Sequence, residues 1–127
     1  MAEDLPRFVG PAFEDLCAAW VAEQGALGNL PFAPRRVGGW WSAAGEIDVV
    51  AVGDAAVLFG ECKWTERPVG TNILDDLVRK AAPLAEQMGS GTVHYALFAR
   101  SGFTPALTHR AEAEGVRLVD AARIVGI

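Results

Sequence analysis

Cysteine is nearly absent: the two that occur, Cys17 and Cys62, stand far apart in a chain of 127 residues. They form no zinc-ligand spacing and no disulfide framework, which points to a reducing compartment. Histidine is equally scarce, and His94 and His109 lack the spacing of a ligand pair, so metal holding by imidazole is not expected. No stretch reads G-x-x-x-x-G-K-[ST], which excludes nucleotide binding through a P-loop. No apolar run approaches the roughly 20 residues needed to span a bilayer. The start, Met1 to Pro6, has neither a basic n-region nor an apolar h-region, so no signal peptide is expected and the compartment expected is the cytoplasm. Positive charge is short as well: 11 Lys and Arg against 16 Asp and Glu leave a net charge of −5. Phosphate affinity comes from clustered Lys and Arg, so a surface that binds nucleic acid everywhere is excluded, while a local basic strip is not.

Apolar residues make up 51% of the chain, enough for a core, and the length suits one domain, taken as 1–127. Pro11 is placed to open a helix as a first-turn proline. Phe13, Leu16, Cys17, Trp20 and Val21 follow at the spacing of a core-facing stripe. Glu14 lies on the edge of that stripe and Asp15 opposite it. Residues 25–34 carry Gly25, Gly28, Asn29, Pro31 and Pro34 and read as loop. Strands are expected over 35–41, 46–52 and 56–64, joined by short links as an antiparallel meander. A second helix is expected from Asn72 as N-cap, with Asp75 and Asp76 in its first turn and a kink or break near Pro83. A fourth strand spans 93–99, Thr104 caps a helix that starts at Pro105 and ends near Gly115, a fifth strand covers 116–119, and a last helical turn closes the chain. The order is α-β-β-β-α-β-α-β.

The chemistry concentrates in residues 46–64. Period-two alternation puts Val57, Phe59, Glu61 and Lys63 on one face of their strand, and Leu58, Gly60, Cys62 and Trp64 on the other. Cys62 therefore reads as a buried apolar residue. The preceding strand offers Glu46, Asp48, Val50 and Val52 on one face, with its acidic members at the strand start. In an antiparallel hairpin that start lies beside the end of the next strand, so Asp48, Glu61 and Lys63 converge. Two carboxylates and a lysine, partly buried together, are what a hard divalent cation needs beside a nucleophilic water. A Glu–Lys pair two apart on an exposed strand is usually only a solvated ion pair; the Ile47–Val52 context and the convergent Asp48 separate this one from that ordinary case.

Asp48 followed thirteen residues later by Glu61-Cys62-Lys63, after a helix bearing a glutamate, resembles the PD-(D/E)XK nuclease signature. More closely, Val37-Gly38-Gly39-Trp40-Trp41, Glu46-Ile47-Asp48 and Gly60-Glu61-Cys62-Lys63-Trp64 resemble the nuclease-like domain at the C-terminus of certain archaeal and bacterial AAA-type ATPases. One departure is that Ile47, not proline, precedes Asp48. The resemblance implies an α/β restriction-endonuclease-like αβββαβ core, a mixed central sheet flanked by helices. It implies Mg²⁺ or Mn²⁺ held by Asp48, Glu61 and the backbone carbonyl of Cys62, with Lys63 orienting or deprotonating the attacking water. Glu14 would match the helical glutamate that assists the metal, and Glu46 would stand just behind the ligands. The implied activity is phosphodiester hydrolysis of DNA, branched or double-stranded, with an AAA-type ATPase in cis or trans as partner and a homodimer as the expected assembly. The alternative is a catalytically inactive nuclease-like module serving as a nucleic-acid-binding or regulatory domain of an ATPase. The chain is then either an excised C-terminal domain of a longer ATPase or a short standalone relative.

Arg35, Arg36 and Trp41 are the further residues that bear on DNA. Trp40 and Trp41 are adjacent and so face opposite sides of a strand: one is expected in the core, and the other, Trp41, either stacks a base or rests on a helix. Arg35 and Arg36 either contact phosphate or end a solvated strand.

Overall fold

The computed structural model describes residues 5–89 and 91–126. The leaderless start expected from Met1 onward lies partly outside them, at residues 1–4. The first helix, α1, spans Leu5–Ala26, so Pro11 falls in its second turn rather than its first, and Gly25 belongs to the helix rather than the loop. Phe13, Cys17, Trp20 and Val21 are buried as the stripe predicts, but Leu16 is 48% exposed. On a helical wheel Leu16 lies on the flank opposite Glu14, and the face that meets the sheet is too narrow to cover it.

Strands β1 (Arg36–Ser42), β2 (Gly45–Val52) and β3 (Ala56–Lys63) form the antiparallel meander. Helix α2 (Thr71–Met88) crosses to β4 (Thr92–Ala99), and α3 (Pro105–Glu114) crosses to β5 (Arg117–Asp120), both strands parallel to β3. A short α4 (Ala121–Val125) ends the described chain. The five strands lie in sequence order in one mixed sheet. Thr104 caps α3 as the sequence predicts, its hydroxyl accepting from the Leu107 N–H at 3.2 Å, and Gly115 closes the helix in the left-handed conformation.

Helix α2 departs from expectation at both points named for it. Its N-cap is Gly70, with no side-chain cap, so Asn72 is already helical and Asp75 and Asp76 lie past the first turn. The backbone before the helix is tied to the segment before α3, Val69 N–H donating to the Gly102 carbonyl and Thr104 N–H to the Val69 carbonyl, and that bridge sets the helix start. The helix also runs unbroken through Pro83. Pro83 is exposed, so the Arg79 carbonyl it deprives of a partner is on the side where water can replace the bond.

The sheet is covered on both faces. Cys17 and Val21 of α1 pack on Val49, Ala51, Leu58 and Phe98. Leu74, Leu77 and Ala81 of α2, with Leu107 of α3, pack on Ile47, Val50, Phe59 and Leu97. Burial on two faces is why β3 reads as a nearly continuous apolar run until Glu61.

Candidate metal centre

Ile47 and Val50 both pack on the α2 side of the sheet, although they stand three positions apart. Strict alternation would put them on opposite faces. The register against β1 explains it: Gly38 pairs with Val50 but Trp40 pairs with Ile47, so Gly39 alone faces the two residues Asp48 and Val49. This is a β-bulge, which bends the strand and re-aims a side chain. The expected common face of Glu46, Asp48, Val50 and Val52 is therefore corrected. Val49 packs against the α1 side, and Asp48 is turned toward α1 as well.

Three carboxylates meet there. Glu14 from the partly buried edge of the α1 stripe, Glu46 from the start of β2 and Asp48 from the bulge each offer an oxygen, all within 4.8 Å of one another. Asp48 Oδ2 also accepts from the Cys62 N–H at 2.9 Å, beyond the last ladder pair, Val49 with Gly60. The carboxylate thus reaches across to β3 between Glu61 and Lys63. Burial pushes the Asp48 carboxyl up to about 7; the Cys62 N–H opposes the rise, and the charges of Glu61, Glu14 and Glu46 add to it. Glu14 is raised too, first by burial, then by Glu46, Glu61 and Asp15, with its hydrogen bond to Asp48 pulling the other way.

Glu61 lies on the α2 side and is 6% exposed. Its Oε2 is 3.3 Å from Lys63 Nζ and its Oε1 is 3.2 Å from Lys80 Nζ. The alternation of β3 therefore holds, with Cys62 buried on the opposite face. Lys63 remains 36% exposed, whereas Lys80 is 10% exposed. Lys80 also donates to the Glu46 carbonyl at 2.7 Å and lies 3.5 Å from Asp76. It ties α2 to the start of β2 and to the end of β3 at once.

Lys80 is the residue that sequence reasoning missed. The signal was present: Leu77, Lys80, Ala81 and Leu84 stand at i, i+3, i+4 and i+7, so a lysine occupies a core-facing position of an apolar stripe. A lysine in that position needs a buried anion, and Glu61 is the one it meets.

The donor set suits a hard divalent cation. Among residues 12–89 and 91–126, whose side chains the structure describes, no lysine or arginine is in ion-pair contact with Glu14, Glu46 or Asp48. Partly desolvated carboxylates clustered without a counter-charge are costly unless a proton or a cation compensates them. Oxygen donors of this kind are those that Mg²⁺ and Mn²⁺ take.

The residues expected at DNA are placed differently. Trp40 is 39% and Trp41 84% exposed, so neither is a core residue. β1 is the edge of the sheet, and the helices that cover the central strands leave both indoles open. Arg35 pairs with Asp54 at 2.9 Å, both well exposed, and Arg36 is exposed at the strand start.

Residues 1–77 match the DUF234 model, described as "Archaea bacterial proteins of unknown function". An uncharacterised protein of Methanocaldococcus jannaschii is 34% identical over 83 residues, which cover 61% of this chain and 19% of that protein. The crystal structure of a repair endonuclease from Pyrococcus abyssi superposes with a TM-score of 0.59 at 22% identity, over 84% of this chain and 46% of its own. The five-stranded mixed sheet flanked by helices is thus similar to a nuclease fold. The chain spans about a fifth of the length of the curated relative it matches. Among the described residues, no helix is long and apolar enough to cross a membrane.

Proposed function

The chain belongs to the DUF234 family, and from that premise and the strand-end site we propose that it is a metal-dependent nuclease domain that hydrolyses DNA phosphodiesters. The observation that carries this reading is the convergence of Glu14, Glu46 and Asp48 within 4.8 Å, beside a Glu61–Lys63 pair that stays open to solvent on its lysine side. The nuclease-like fold supports it. Asp48, the Cys62 backbone carbonyl and, from the α2 side, Glu61 are the ligands proposed for Mg²⁺ or Mn²⁺, and Glu14 and Glu46 complete or steady the set. When bound, the cation supplies Lewis acidity toward a phosphoryl oxygen and offsets the carboxylates' mutual repulsion.

The chain's own groups divide the remaining work. Lys63 is exposed enough to meet a substrate, and its ammonium can offset charge on a phosphate or hand a proton to and from water. Lys80 is too buried for that and instead holds Glu61 in place from behind. Asp48, raised to about 7, sheds its proton readily near neutrality once a cation replaces it. DNA is the proposed partner, and residues 1–127 are proposed to form one nuclease-like domain. Association with an AAA-type ATPase, in cis or trans, and pairing as a homodimer are part of the same reading and rest on the sequence resemblance.

One observation favours the non-catalytic alternative: both oxygens of Glu61 already have a lysine within 3.3 Å. A carboxylate held in that way serves a structural ion triad as well as a metal. Cleavage decides between the two. Supercoiled plasmid and branched DNA incubated with the protein in Mg²⁺ or Mn²⁺ should be cut by the wild type and left intact by Lys63→Ala. Equal cleavage by both proteins means contamination, and no cleavage by either leaves the regulatory module as the reading.

A further inference from the structure

Positions 36, 38 and 40 of β1 share the face that looks toward α2, because Gly38 pairs with Val50 and Trp40 with Ile47, which both pack on that side. In order they are a cation, a residue without a side chain and an indole. A Cβ on Gly38 would meet nothing within 4 Å. The missing side chain leaves a gap in the strand's surface, walled by Arg36 on one side and Trp40 on the other. Leu84, Gln87 and Met88 of α2 face it, and together these groups enclose a cleft of about 520 Å³. That lies within the range of roughly 300–1,000 Å³ in which pockets take small organic groups.

The cleft lies on the α2 face of the sheet, the face that also carries Glu61, Lys63 and Lys80, with the sheet between it and the Glu14 and Asp48 carboxylates. Trp40 is paired with Ile47, the neighbour of Asp48, and Leu84 lies one helical turn beyond Lys80. Its chemistry is a planar aromatic wall 39% exposed, an amide that can read the edge of a ring, and a guanidinium with no ion-pair partner among the described residues. An aliphatic ligand would leave the guanidinium and the amide unmatched. A planar, hydrogen-bonding, anionic group satisfies all three. A base-paired nucleotide could not enter, because its ring is stacked and its edge is taken by its partner.

We propose that this cleft receives one unpaired nucleotide of a DNA strand, its base stacked on Trp40 and its phosphate on Arg36. The strand then continues along the α2 face toward Lys63. The inference rests on the nuclease reading in that it names the form of DNA the site takes: a single strand, or a junction that exposes one, in preference to intact duplex. Stacking on an aromatic side chain tolerates every base, so no sequence preference accompanies it.

The test measures binding by fluorescence anisotropy in chelator, where nothing is cut and the metal site plays no part. The probes are a labelled single-stranded oligonucleotide, a blunt duplex of the same length, and free dAMP as competitor. The single strand should bind about tenfold more tightly than the duplex, the gain expected of one stacked base. Gly38→Val, which fills the gap at a position without a positive φ, should abolish that preference. Trp40→Ala should do the same, and Trp40→Phe should retain part of it. Thermal melts in Mg²⁺ and in chelator, run on each variant, show whether it is folded and whether the carboxylate site persists. Equal affinity for both DNA forms, or a Gly38→Val protein that binds as wild type does, overturns the proposal even if Mg²⁺ stabilisation and cleavage survive. Preference for free dAMP over the strand, or a change in oligomeric state in place of a change in affinity, overturns it too. Single-strand preference lost in Gly38→Val, in a protein that neither cuts DNA nor responds to Mg²⁺, supports the cleft and ends the nuclease reading.

Discussion

Asp48 links the site to stability through its proton. Its folded value is about 7 against an ordinary 3.8, so the folded protein keeps a proton that the unfolded chain releases across that interval. The stability carried by that proton is fully present below the unfolded value and is lost as pH rises through the folded one. In chelator, the melting temperature should therefore fall between about pH 4 and pH 7. Millimolar Mg²⁺ should remove much of the loss at the upper end, because a cation bound only by the folded state replaces the proton. Asp48→Asn should flatten the pH dependence and abolish the Mg²⁺ response together. A response that survives the substitution places the ion elsewhere. The two lysines beside Glu61 should separate as cleanly. Lys80→Ala strips a buried carboxylate of its most buried partner and should cost about 3 kcal/mol in urea denaturation. Lys63→Ala, at a more exposed position, should cost under about 1 kcal/mol while removing cleavage. Equal costs would mean that Lys80 does not hold Glu61 as described.

At the scale of the elements, legibility followed how local the determining physics is. Thr104, Pro105 and Gly115 marked α3 because a cap hydroxyl, a proline and a left-handed glycine act within one turn. β3 was readable because its alternation is regular, which put Glu61 and Lys63 together and Cys62 opposite. β2 was not, because a bulge depends on the register against β1, and only the pairing of Gly39 with two residues reveals it. The start of α2 was set by the Val69 bridge to a segment more than thirty residues away, which no local cap signal carries. Helix faces were legible apart from their width. Leu77 is fully buried and Leu16 is 48% exposed, although both lie on apolar stripes. Leu77→Ala should cost about 3 kcal/mol, and Leu16→Ala under about 1 kcal/mol, in the same denaturation experiment. Similar costs would show that the α1 stripe buries Leu16 after all.

Across the whole molecule, the site forms where three elements meet. The start of β2, the end of β3 and the middle of α1 converge on a single edge, and α2 reaches it from the other face through Lys80. The hairpin in the sequence pointed to Asp48, Glu61 and Lys63 on one face, whereas the carboxylates that meet within 4.8 Å are Glu14, Glu46 and Asp48 on the α1 side, with Glu61 and Lys63 on the α2 side. The sequence left Lys80 and the exposure of both edge-strand tryptophans unseen, because these depend on how far α2 reaches along the sheet. A net charge of −5 is compatible with DNA as the proposed partner, because the negative charge clustered here would be matched by the proposed dication rather than set against the phosphates. The claim on which the rest depends is that a divalent cation occupies that edge. Crystals soaked in Mn²⁺ and measured at a wavelength where manganese scatters anomalously test it most directly. A single strong peak about 2.1 Å from an Asp48 oxygen, shared with Glu14, Glu46 or Glu61 and absent from Asp48→Asn crystals, is the predicted result. No peak at saturating Mn²⁺, or one bound away from these carboxylates, would contradict it.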